Sequence, residues 1–324
     1  MALSTYLAKR FLQSILIIFA ILLINFIIIN SAPGDPARFM GGEVALSSPQ
    51  YVEAIRERWG LDKPIYERFF IYIYNLLHGD LGYSYRYLQP VSTLIIERLP
   101  TTLLLTITST ILAFFIGTFL GLKAVQKVGS KRDVFLTTIM FVFWSIPAFW
   151  LGILLIMIFG VQLKWFPISG LINVREMKTG IWYYLDILYH SVLPITTLTL
   201  ITIPVYYKLT RDTALQQLTE DYVTTFRAVG LDENRLFKKH VFRNAILPPV
   251  TIFGLQLGYA IAGAALIETV FGWPGMGRLL LDSIYMRDYP VIMGIYLIIS
   301  ISVVLSNLIV DLIYMLLDPR IRVR

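Results

Sequence analysis

The amino-acid sequence predicts an all-α integral membrane protein, with six transmembrane helices and an external helical segment after the first. Three observations carry that reading. Of the 324 residues, 56% are hydrophobic and only 15% charged, whereas a soluble domain carries about 25% charged residues. Six apolar runs approach or exceed the roughly 20 residues a helix needs to cross a bilayer. Basic residues gather in the short segments on one side of those runs.

The first span is Phe11 to Ile29, free of charge. Its large aliphatic side chains suit lipid better than close helix contact, which favours small residues. Lys9 and Arg10 precede it as they would in a signal peptide. The run is too long for that, and no small-x-small cleavage site follows.

Residues 31–99 form the one sizeable external segment. Ser47 or Ser48 is placed to cap a helix running through Arg58, with Gly60 ending it. Asp62 is placed to cap a second, with Pro64 near its first turn and Gly79 past its end. Its stretch IYERFFIYIYNLL is aromatic enough for a membrane interface. A cap over the span ends and a docking surface for an external partner both fit this segment.

Spans two and three are Thr101 to Leu122 and Val134 to Val161. In the third, WSIPAFW puts Pro147 mid-span and predicts a kink. The fourth, Val192 to Tyr207, is short and broken by Pro194 and Pro204; a bundle can re-satisfy the freed backbone. The fifth is Ala245 to Ile267. The sixth, Val291 to Leu317, contains Asp311. Gly117 with Gly121, and Gly254 with Gly258, form small-xxx-small pairs that serve close packing or gating. The chain thus divides into residues 1–30, 31–99 and a core of 100–324 holding a polar loop, 211–244.

With six spans the two termini share a side. That side holds 16 of the 28 basic residues, in short segments, and is expected to be cytoplasmic. The net charge of +7 is therefore a topology signal. Divided among juxtamembrane loops, it makes no continuous nucleic-acid surface.

The chemistry of an energy source is missing. A phosphate-cradling P-loop needs a Gly-Lys pair, and no Gly-Lys dipeptide occurs. There is no cysteine, and His78, His190 and His240 lie far apart, without metal-site spacing. Glu268 and Asp311 fall near span ends, where carboxylates pair with nearby bases more readily than they relay protons. No nucleophile–base pair marks an intramembrane enzyme.

The segment EDYVTTFRAVGLDENRLFKKHVFRNAILP, Glu220 to Pro248, is polar, basic and helix-patterned. Gln216 to Val229 reads as one helix with Leu218, Tyr222, Phe226 and Val229 as an apolar stripe. Gly230 stops it, and Asp232 is placed to cap a second helix through Arg243. An amphipathic elbow of this kind suits insertion into a groove on another protein.

These residues resemble the cytoplasmic signature loop of binding-protein-dependent ABC importer permeases. TTFRAVG, Thr224 to Gly230, occupies the place of that family's Glu-Ala-Ala…Gly pattern, with Thr224 where the glutamate stands; NAILP, Asn244 to Pro248, matches its close. APGDP (Ala32 to Pro36), GLDKP (Gly60 to Pro64), HGDLG (His78 to Gly82), ETVFGWPGMGR (Glu268 to Arg278), RDYP (Arg287 to Pro290) and DPRIR (Asp318 to Arg322) are similar to the dipeptide/oligopeptide permease family.

The resemblance implies a type I permease fold in the cell membrane of a prokaryote. It implies a second homologous permease subunit, two cytoplasmic ATPases that bind the ATP and magnesium, and an external solute-binding protein. This chain would then bind no cofactor and catalyse no reaction. The coupling segment would comprise Glu220, Asp221, Thr224, Thr225, Phe226, Arg227, Ala228, Val229 and Gly230. Candidates for the translocation path are Trp144, Ser145, Pro147, Gln256 and Tyr259. Peptides are the expected substrate; the same family also moves glutathione, nickel and oligosaccharides. The rival reading from another class is an autonomous gradient-driven carrier.

Overall fold

A computed structural model describes residues 3–31, 37, 48–58, 60–84, 86–176 and 178–317. The APGDP and DPRIR motifs, Ser47 and the side chain of Asp311 lie outside what is described. Five helices are long and apolar enough to cross a membrane, and six when one bent pair counts as a single span. The described residues form two compact units, one from residues 1–102, 261–265 and 274–324, the other from 103–260 and 266–273. These units cut across the expected division at residues 30 and 99, because the last helix belongs with the N-terminal ones.

In the first unit, α1 (Leu3–Asn30) packs along α12 (Tyr289–Leu317). Much of α1 stays uncovered, with Leu12, Leu16 and Ile28 about 60% exposed, as a lipid-facing helix requires. The helix α2 (Pro49–Arg58) is capped by Ser48, whose Oγ accepts the Tyr51 N–H at 3.3 Å. Gly60 then takes φ +57°, which releases the chain from the helix. The next helix, α3 (Ile65–Leu77), starts directly after Pro64 without a side-chain cap. Asp62 therefore does not cap it: two residues separate the carboxylate from the first turn. Phe69 of α3 meets Phe19 and Phe26 of α1 edge-on, at 5.8 and 5.2 Å between ring centroids. A two-residue hairpin, β1 (Tyr83–Ser84) with β2 (Gln89–Pro90), leads into α4 (Val91–Val125). Val91, Leu94 and Ile95 of α4 bury against α12 and α11 (Met276–Met286). At Gly294 a Cβ would sit 2.6 Å from Val91 Cγ1, so only glycine permits this approach.

In the second unit the rest of α4 joins α5 (Lys131–Ser145), α6 (Ala148–Leu155, extended by a π-helical stretch to Gln162) and α7 (Ile181–Leu218). Gly117 and Gly121 of α4 lie against α7; a Cβ on either would come within 2.7 Å of a carbonyl oxygen there. That close approach gives this pair a packing role. The fourth span is much longer than expected: α7 has 38 residues, with Pro194 and Pro204 both inside it. The Asp186 carboxylate at one end, paired with Lys178 at 2.9 Å, and the Lys208–Asp212 pair at the other belong to the helix. An apolar count stops short of them.

The short helix α8 (Asp221–Ala228) follows, then α9 (Glu233–Ala262). The fifth span ends at Ala262 rather than Ile267, because Gly263 adopts φ +75° and turns the chain. Glu268 lies fully buried in the separate helix α10 (Ala265–Val270).

Candidate functional site

The elbow is two short arms on a fixed base. The expected single helix from Gln216 to Val229 is broken: α7 ends at Leu218, and Glu220 is extended at ψ 148° before α8 begins. Thr219 Oγ1 donates to the Gln216 carbonyl at 2.8 Å, which satisfies the end of α7 locally. After α8, Gly230 takes φ +81°, and the Leu231 N–H donates back to the Phe226 carbonyl at 3.0 Å. Asp232 accepts the Arg235 N–H at 3.1 Å and caps the start of α9. That helix runs on without a stop into the membrane-length segment, so the second arm is the beginning of a span. An Arg227–Glu233 ion pair at 2.7 Å crosses the turn.

The base is apolar. Val223, Leu236, Val241 and Ala245 are fully buried against Ala214 of α7 and Val125 of α4. Burying each larger side chain is worth about 1.5–3 kcal/mol, enough to seat the elbow on the ends of three long helices. Phe226 turns into this base, its ring 4.3 Å from that of His240. The other residues of the expected coupling segment, Glu220, Asp221, Thr224, Thr225, Arg227, Ala228, Val229 and Gly230, are all solvent-exposed. Val229, 81% exposed, is therefore the large apolar side chain that the elbow offers outward.

An ion pair ties α5 to α7 two turns before the elbow. Arg211 grips Asp133 with two parallel bonds, Nε to Oδ1 at 2.9 Å and Nη2 to Oδ2 at 3.0 Å. Asp133 also accepts the Gly129 N–H at 3.0 Å, and its side chain is only 4% exposed. Sequence reasoning missed this pair, since the partners stand 78 positions apart and neither breaks a local pattern.

At its other end α5 meets α6 at a bend of 101°. Pro147 has no N–H to continue the helix, and it forces Ile146 into extended backbone at ψ 127°. The bend shapes an open cavity of about 610 Å³ whose lining includes Thr138, Phe141, Ser145, Pro147, Phe149 and Trp150. No charged side chain lines it. Of the path candidates, Ser145 and Pro147 face this cavity together. Trp144 is exposed but outside the lining. Gln256 accepts a hydrogen bond from Tyr206 Oη at 2.8 Å, which ties α9 to α7, and Tyr259 is 57% exposed on α9.

Residues 109–323 match the family model described as binding-protein-dependent transport system inner membrane component. Residues 3–106 match the model for the N-terminal part of such membrane components. The chain belongs to this family. Full-length relatives agree. The oligopeptide transport system permease protein AppB of Bacillus subtilis (strain 168) is 40% identical over 323 residues, covering 98% of this chain and 99% of its own. The dipeptide permease protein DppB of Escherichia coli (strain K12) is 38% identical over 319 residues, 93% and 94% of the two chains. The glutathione permease protein GsiC of the same strain is 39% identical over 317 residues, 98% of each chain. The protein is thus a multi-pass inner-membrane permease of the binding-protein-dependent class, and its all-α architecture is that of a transport subunit.

Proposed function

We propose that this permease subunit passes di- or oligopeptides into the cell, with the elbow as its contact to an ATPase. The carrying observation is the elbow's division of labour: a buried apolar base fixed to three long helices, and an outward face ending in Val229. The ion pair across the turn holds Val229 in a fixed, outward position where a partner can meet it. A second, homologous permease subunit completes the pathway, and an external binding protein delivers the peptide. Two ATPases bind ATP and magnesium beneath the elbow, and this chain carries no cofactor. The termini and the elbow then share the cytoplasmic side, in line with the distribution of basic residues.

Peptides fit better than metal ions. The cavity at the bend has a mainly apolar, aromatic lining with two hydroxyls and no charge, which gives a bare cation no ligands. The relatives named for peptides and glutathione support the same class. The test is uptake of a labelled tripeptide into proteoliposomes that contain both permeases and the binding protein. Uptake should require the two ATPases and ATP. Equal uptake by the permeases alone, driven by an ion gradient, would establish an autonomous carrier instead.

A further inference from the structure

A second cavity of about 610 Å³ lies wholly within the first unit. Its lining joins the end of α1, at Phe26, Ile29 and Asn30, to α3 and to the start of α12. Asn30 is the last residue of the first span, so the cavity sits at the edge of the membrane-length segment. One wall is apolar, from Phe26, Ile29, Ile71, Tyr72 and Met293.

The polar part of the lining includes Arg68, Lys63, Glu57 and Asp80. Arg68 is the unusual member. Its guanidinium is partly buried and donates to the neutral amide oxygen of Asn30. No carboxylate neutralises it among the described residues. Burial without an opposite charge pulls its affinity for the proton below the ordinary arginine value. A charge held this way favours an anion with several acceptor oxygens, and a phosphate suits the guanidinium fork. Asp80 already accepts the Gly82 N–H at 2.8 Å, and Glu57 lines the same cavity. Glu57 and Asp80 thus offer acceptors for an amine on the same ligand.

We infer that this cavity is a binding site for an aminophospholipid: phosphate on Arg68, amine toward Glu57 and Asp80, and an acyl chain along Phe26, Ile29 and Met293. The lipid would wedge α3 against α1 at the interface. The occupant is a lipid rather than a free phosphate because much of the lining is apolar and the cavity lies at the end of the first membrane-length helix.

The test is native mass spectrometry of the full transport complex. The complex is taken through mild detergent from nanodiscs of mixed phosphatidylethanolamine and phosphatidylglycerol. Wild-type chain should retain phosphatidylethanolamine. Arg68→Gln should retain roughly tenfold less, the loss of one charge-assisted contact. Arg68→Lys should keep most of the binding. Met293→Trp, which fills the apolar wall and leaves Arg68 in place, should also reduce it. Equal retention in Arg68→Gln and wild type would overturn the site. So would retention of phosphatidylglycerol instead, or displacement of the lipid by inorganic phosphate alone.

Discussion

Two residues in the second unit carry consequences that can be measured singly. Arg211 and Asp133 form a bidentate pair with a nearly buried carboxylate. Removing one partner of a buried pair strands the other and costs about 3 kcal/mol, whereas replacing both costs much less. Arg211→Met should therefore lower the unfolding midpoint of the purified permease clearly, and Asp133→Asn combined with Arg211→Met should recover much of the loss. Equal instability of the single and double variants would show that the pair is not the unit holding α5 to α7. Gly230 is a different case. At φ +81° a β-carbon costs about 1 kcal/mol, yet nothing lies within 4 Å of where it would stand. Gly230→Val should fold, insert and pair with the second permease, because its cost is confined to the backbone of an exposed turn. Uptake per assembled complex should nevertheless fall about tenfold, as a misfit of only 1.4 kcal/mol at a docking groove suffices for that. Wild-type uptake per complex in this variant would reduce Gly230 to a helix terminator.

At the scale of elements, the bend between α5 and α6 is the feature with the sharpest geometry. A straight helix from Val134 to Met157 would span about 35 Å, and a 101° bend near its middle shortens that to about 22 Å. Both positions are exposed and the chain has no native cysteine, so spin labels at Val134→Cys and Met157→Cys report this distance directly. A distribution centred near the shorter value is expected; one near the longer value would rule the bend out. The bend was legible in the sequence because proline acts locally, through a missing N–H and a restricted neighbour. Gly230 and Asp232 were legible for the same reason. The extent of α7 was not, because its polar ends are satisfied by Lys178 and by a pair within the helix, which hydropathy cannot register. Nor was the inward turn of Phe226. Its stripe fits an exposed docking face equally well, and only the buried base beneath it shows which side chain is already committed. The Asp133–Arg211 pair rests on contact between distant segments and leaves no local trace.

In the molecule as a whole, an elbow, a clamped pair of helices and a bend follow one another in contact within the second unit. The elbow is seated on α4, α7 and α9; α7 grips α5 through Arg211; α5 ends at the bend that shapes the uncharged cavity. Packed side chains and one ion pair thus connect the elbow to the cavity. The central claim is that an ATPase is seated on Val229. Val229→Cys places the only thiol of this chain at the tip of the elbow. The direct measurement is cross-linking from that thiol with a short photoactivatable reagent in the assembled, membrane-embedded transporter. The account predicts a cross-linked product containing this chain and an ATPase subunit, with a yield that changes when ATP is bound. A thiol that stays fully reactive toward water-soluble reagents in the assembled complex, and gives no ATPase product, would contradict it.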